Sequence, residues 1–178
     1  MTEVLPHSAA AYNLARWLCR NESDARDVVQ ESFARALQYF GGFRGGDARS
    51  WLLAIVRNTA STWLKSRPLL AHAAADADQR GDDELFELPP GSGASPGTDP
   101  LGAAISDEQA RSLRRAISDL PVEYREVLVL REFEDLAYRE IAAIVGCPMG
   151  TVMSRLARAR ALLRAAWYRQ PEAAGDGL

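Results

Sequence analysis

Apolar residues recur at three- and four-residue intervals along most of this chain, the spacing of amphipathic helices. Residues 8–20 carry Tyr12, Ala15, Trp17 and Leu18 mostly on one side. Asn21-Glu-Ser23 interrupts that stretch, with Ser23 placed as a helix N-cap. A second helix is expected over 24–40, with Ala25, Val28, Val29, Phe33, Ala36, Leu37 and Phe40 as its core stripe. A third spans about 50–65, with Trp51, Leu52, Ile55, Val56, Thr59, Trp63 and Leu64 inward. Two more cover 107–119 (Ala110, Leu113, Ala116 and Ile117) and 122–134 (Val127, Leu128, Leu130 and Phe133), parted by Pro121.

The stretch from Leu136 to Arg160 predicts two helices joined by a tight turn. Ile141, Ala142 and Val145 form one apolar face, and Ala142 and Ala143 are small enough for a close crossing. Gly146 supplies a left-handed end to the first helix, and Pro148 suits the entry to the second. The second helix, started by Gly150 or Thr151, repeats Val152, Leu156, Ala159 and Leu163 on its inner side. Its other side offers Ser154, Arg155, Arg158 and Arg164. This is the pattern of a helix-turn-helix whose second helix enters a DNA major groove. An ordinary αα-hairpin with a solvated basic face is the plainer alternative.

Between the second and third helices lie Gly41, Gly42, Gly45 and Gly46, with Phe43 and Arg44 at the centre. No Lys-Ser/Thr follows, so this is not a nucleotide P-loop. An aromatic on a loop usually folds back into the core, but it can also be a platform for an unstacked base. Residues 71–106, rich in Ala, Asp, Gly and Pro, read as a flexible acidic linker without a core of its own. The expected class is therefore all-α: two small helical domains, 1–70 and 107–170, joined by that linker and followed by a frayed tail over 171–178.

Charge sharpens the picture. The 178 residues carry a net −3, but unevenly. Residues 1–70 hold nine Lys/Arg against six Asp/Glu, and residues 71–112 hold two against nine. From Gly150 to Gln170 there are five arginines and no acid, an electrostatic footprint for nucleic acid. No apolar run is long enough to span a bilayer, and the N-terminus does not read as a signal peptide. Cys19 and Cys147, far apart, suggest neither a disulfide framework nor a metal site, which places the chain in the reducing cytoplasm. His7 and His72 are the two histidines, and no nucleophilic or metal constellation emerges, so neither catalysis nor a cofactor is expected.

Four segments resemble bacterial sigma factors, in the right order and spacing. Asp24-Ala-Arg-Asp-Val-Val-Gln-Glu-Ser-Phe-Ala-Arg-Ala-Leu37 resembles their polymerase-binding helix. Phe43-Arg-Gly-Gly46 with Trp51-Leu-Leu-Ala-Ile-Val-Arg-Asn58 resembles the promoter-melting segment. Leu120-Pro-x-x-x-Arg-Glu-Val-Leu-x-Leu-Arg131, Tyr138-Arg-Glu-Ile-Ala142 and Gly150-Thr-Val-x-Ser-Arg-Leu-x-Arg-Ala-Arg160 resemble the C-terminal domain. The short chain, with only a linker between lobes, is similar to the extracytoplasmic-function (ECF) group of the sigma-70 family.

The resemblance implies core RNA polymerase and promoter DNA as partners, an anti-sigma factor as a further one, and no membrane insertion. It puts Asp27, Gln30, Glu31 and Phe33 on polymerase. Phe43, Arg44 and Asn58, with Lys65 and Arg67 beyond them, fall to the opened −10 strand. Thr151, Met153, Ser154, Arg155, Ala157 and Arg158 fall to the −35 duplex, with Arg155 and Arg160 holding phosphates or packing. Met153 stands where the family commonly has a basic side chain. A stand-alone helix-turn-helix regulator, with the N-terminal lobe as sensor or dimerisation bundle, explains the C-terminal half but not the Asp27/Gln30/Glu31 face or the glycine loop.

Overall fold

The computed structural model describes residues 4–43, 45–66 and 100–169, with 100–107 described as backbone alone. Among them are seven α-helices and no strand: α1 (Ser8–Cys19), α2 (Glu22–Tyr39), α3 (Ala48–Ser66), α4 (Pro100–Ser118), α5 (Val122–Glu132), α6 (Tyr138–Val145) and α7 (Met149–Tyr168). The all-α expectation holds. Arg44, Arg67 and most of the expected linker lie outside the described residues.

Local chemistry moves several boundaries. Asn21, not Ser23, caps α2: its backbone is extended and its side-chain oxygen accepts from the Asp24 amide at 2.9 Å. The buried stripe of α2 is Ala25, Val28, Ser32 and Ala36, while Leu37 is exposed. Ser32 is tolerated there because its hydroxyl donates to the Val28 carbonyl at 2.6 Å, so no polar group is left unsatisfied. Helix α4 starts at Pro100, well before position 107, with proline at the first position where its missing N–H costs nothing.

Helices α1, α2 and α3 pack on one another as an N-terminal lobe. Helices α5, α6 and α7 form a C-terminal lobe, with α4 against α7. The two lobes also meet, α1 on α5 and α3 on α6, so that one hydrophobic core runs from Leu14, Leu52 and Val56 to Leu130, Ile141 and Leu156. Each of those large side chains stabilises the fold by roughly 1.5–3 kcal/mol when fully buried.

The helix-turn-helix forms as its pattern requires. Gly146 ends α6 at φ 72°, and its N–H reaches the Ala142 carbonyl. Pro148 stands just before α7. Val152, Leu156 and Ala159 are buried and Leu163 is half-buried. No heavy atom outside its immediate neighbours would crowd a Cβ at position 146 within 4 Å, so the demand there is conformational rather than steric. Gly146→Ala is therefore expected to cost about 1–2 kcal/mol through the left-handed backbone alone. Urea unfolding checks this as a lowered midpoint at unchanged slope.

Candidate functional sites

The polar face of α2 faces the polar face of α3 across an open groove of about 450 Å³. Asp27, Gln30, Glu31, Ala34 and Arg35 line one wall, and Thr59, Thr62, Trp63 and Ser66 the other. Asp27, Gln30 and Glu31 are exposed, and Glu31 accepts from Arg35 Nε at 2.8 Å. Phe33 does not line the groove; it is half-buried and packs on the core. The α3 wall escaped the sequence reading, although Thr59, Thr62, Trp63 and Ser66 repeat at i, i+3, i+4, i+7 and so share one face. An acidic rim over a partly apolar wall suits a helical partner that brings basic and apolar side chains.

The glycine loop leads into α3 through an aromatic cluster. The Phe43 ring lies 5.0 Å from that of Trp51 and 6.0 Å from that of Phe40, and Phe40 meets Trp51 edge-on at 6.4 Å. Phe43 is thus half-buried, one side supported by the helix ends. Gly45 and Gly46 take φ of 82° and 119°, which L side chains rarely adopt. They turn the chain so that Asp47 caps α3. Its carboxylate accepts from the Arg49 amide at 3.1 Å, the Ser50 amide at 3.0 Å and the Ser50 hydroxyl. The Ser50 hydroxyl, foremost among these donors, holds the Asp47 carboxyl below its ordinary 3.8. Along α3, Asn58 and Lys65 are exposed.

On α7, Met153, Ser154, Ala157 and Arg158 are exposed on one side, with Thr151 half-buried. The Ser154 hydroxyl donates to the Thr151 carbonyl at 3.0 Å, which leaves its oxygen free to accept. Arg160 pairs with Glu132 at 2.6 Å. Arg155 is half-buried and donates to Glu126 at 3.3 Å. Arg158 pairs with no described residue, so it is the cation of this set available to a ligand.

Charged side chains also join the lobes. Glu126 on α5 is buried, and it accepts from Arg57 of α3 as well as from Arg155, with Arg57 Nε at 3.0 Å. Glu134, just past α5, pairs with Arg49 at the start of α3. Burial pushes the Glu134 carboxyl up, against the pull of Arg49. Arg125 is buried and donates to the Ser118, Leu120 and Leu18 carbonyls. Trp17 of α1 packs on Phe133 with ring centres 5.4 Å apart. None of these cross-lobe pairs was expected from the sequence.

Two family models match the chain: Sigma-70 region 2 over residues 4–68, and Sigma-70, region 4 over residues 110–163. RNA polymerase sigma-H factor of Pseudomonas aeruginosa is 39% identical over 160 residues, covering 88% of this chain and 80% of that protein. ECF RNA polymerase sigma-E factor of Salmonella typhimurium is 40% identical over 141 residues, covering 77% and 70%. Among solved structures, the sigma factor RpoE in complex with the anti-sigma factor NepR from Bartonella quintana superposes with a TM-score of 0.68. It is 25% identical, and the match covers 95% of this chain and 96% of that one. This chain belongs to the sigma-70 family, in its ECF group, as a promoter-recognising sigma factor. The region 2 match accounts for the N-terminal lobe that a stand-alone regulator left unexplained.

Removing the α3 cap should separate local stability from chemistry. Asp47→Ala is expected to lower stability by about 1 kcal/mol near neutral pH. Because the folded-state pKa is depressed, that stabilisation is present above 3.8 and is lost as pH falls through the lower folded value. Thermal melts of both proteins from pH 7 to pH 2.5 should show the gap closing at the acid end.

Proposed function

We propose that the chain binds core RNA polymerase through the α2–α3 groove and positions it on promoters by two separate DNA contacts. The supporting observation is the pairing, in one chain, of an acidic groove on α2 with a helix-turn-helix whose outer face keeps Ser154 and Arg158 free of ion pairs. Asp27, Gln30 and Glu31 are assigned to polymerase, with Thr62, Trp63 and Ser66 completing the seat. Phe33 supports it from behind by packing on the core.

Phe43 and Asn58 are assigned to the opened −10 strand, with Arg44, Lys65 and Arg67 as its basic neighbours. A ring backed by Trp51 and Phe40 is held ready, so stacking a base on it costs little side-chain ordering. On the −35 duplex, Ser154 and Arg158 are assigned to base edges and Thr151 to the helix entry. Met153 and Ala157 provide apolar contact, which suits thymine methyl groups and cannot read guanine as an arginine would. Arg155 and Arg160 are assigned to the lobe's own framework.

The chain supplies binding and strand capture, and bond formation stays with polymerase. It works in the cytoplasm, where polymerase works. An anti-sigma factor is the further partner we assign, and RpoE of Bartonella quintana is seen in complex with one.

Transcription from a mapped promoter with core polymerase, core alone and the chain alone tests this reading: only the combination should start transcripts. Glu31→Lys is expected to abolish capture of core polymerase in a pull-down while leaving helical content unchanged, because Glu31 is exposed. Capture at full strength would remove Glu31 from the interface. Arg158→Ala is expected to cost roughly 1–3 kcal/mol at one −35 base pair. An equal loss on all sequences, measured across a panel of single-substituted −35 duplexes, would instead assign Arg158 to a phosphate.

A further inference from the structure

The chain has two cysteines and three methionines, and three of these five sulfurs fall within seven positions, at Cys147, Met149 and Met153. That stretch is the turn of the helix-turn-helix and the start of α7. Cys147 is half-buried and packs on the core. Met149 and Met153 stand one helical turn apart, so their side chains share a ridge of α7, and they are 52% and 50% exposed. Methionine usually fills irregular gaps in a core. Here the inner side of α7 is filled by Val152, Leu156 and Ala159, so the fold does not call on either thioether. Met1 lies outside the described residues. Met153 also stands on the face assigned above to −35 base edges, beside Ser154 and Ala157.

We propose that Met149 and Met153 are sites of reversible oxidation, and that a peroxide thereby changes which base pairs α7 reads. The second half rests on the assignment of this face to promoter DNA. In the step, a thioether lone pair attacks one peroxide oxygen and the O–O bond breaks. A sulfur–oxygen bond forms, and the departing oxygen takes up a proton and leaves as water. Sulfur loses two electrons and the peroxide gains them. Thiol-dependent reduction of the sulfoxide returns the thioether. The change turns a weak acceptor into a strong one. Against a thymine methyl the new oxygen is left without a donor, which costs binding. Against the amino group of cytosine or adenine it gains a hydrogen bond. The result is an altered preference and not simply a weaker grip. The fold tolerates the change, because neither side chain is buried. The groove assigned to polymerase has no sulfur among its lining residues, so the oxidised chain keeps that seat and carries an altered reading helix. Cys19 is a poorer target: it is buried, and burial pushes its thiol up to about 12, so the reactive thiolate is scarce.

Peptide mass spectrometry of the full chain after hydrogen peroxide tests the first half without DNA or polymerase. The expected result is one added oxygen on Met149 and one on Met153, ahead of Cys19, with helical content unchanged by circular dichroism. Oxygen confined to the cysteines, or helical content lost in step with oxidation, overturns it. The second half is read with core polymerase and the treated or untreated chain, on promoters carrying single substitutions in the −35 element. The expected result is a shift of about tenfold at one or two base pairs, away from thymine and toward cytosine or adenine. Methionine sulfoxide reductases should reverse it. Cys147→Ala should leave the shift in place. With Met149→Leu and Met153→Leu combined, whatever preference that variant shows before peroxide should persist after it. An equal loss on every promoter, a shift that survives the combined variant, or one that vanishes with Cys147→Ala overturns the change of reading. No sequence preference with the untreated chain overturns the −35 assignment itself, and this half with it, while the mass readout still decides the oxidation.

Discussion

A buried arginine at the junction of the lobes ties the rest of the structure together. Arg125 is 4% exposed and faces carbonyls rather than a carboxylate: Ser118 at the end of α4, Leu120 just beyond it, and Leu18 near the end of α1. Helix C-termini carry partial negative charge and unsatisfied carbonyls, so together they solvate a cation without an anion being buried beside it. Burial lowers the guanidinium's pKa to about 10, which still leaves it charged at neutral pH. Losing it would strand three carbonyls in the interior, at about 1–3 kcal/mol for each one left dry. Its position fixes the α4–α5 turn, hence the direction of α5, and α5 is the floor on which α7 lies.

The same residue explains how a fold of two lobes can share one core. Polar atoms at a lobe junction must be satisfied or wet. Here Arg125, Glu126 and Glu134 are buried with partners drawn from both lobes, and Arg125 Nε and one Glu134 oxygen are the buried atoms of this set left without a hydrogen bond among the described residues. Trp17 and Phe133 fill the space beside them. Such a junction is more polar than a domain core, and removal of one partner leaves the other charge buried.

Much of this was legible in the chain itself, for local reasons. A left-handed helix end wants glycine, so Gly146 marked the turn of the helix-turn-helix. The i, i+4, i+7 recurrence of Val152, Leu156 and Ala159 marked which side of α7 faces inward. The polar run Asp27, Gln30 and Glu31 marked the exposed wall of the groove for the same periodic reason. What escaped was chemistry that overrides periodicity or spans long separations. Ser32 replaced Leu37 in the α2 stripe because its hydroxyl finds a carbonyl one turn back. Asn21 displaced Ser23 as the cap because the extended backbone falls two residues earlier. Arg57 and Glu126 stand 69 positions apart, and no window of sequence displays their pairing.

That last pairing changes the meaning of the arginines on α7. By composition, the segment from Gly150 to Gln170 is a block of five equivalent positive charges. In the fold they are unequal. Arg160 is committed to Glu132, and Arg155 to a carboxylate it shares with the other lobe. The unpaired charge on this helix is therefore smaller than the count suggests, and exposed Arg158 stands beside exposed Ala157 and Ser154. Under the assignment of this face to promoter DNA proposed above, it gains little from nonspecific attraction and depends more on shape, apolar contact with the bases and the few polar groups at Ser154 and Arg158. Affinity that is weak alone must be supplemented by a second contact. The second contact proposed above lies on the other lobe, where the Phe43 ring rather than charge is assigned to the strand.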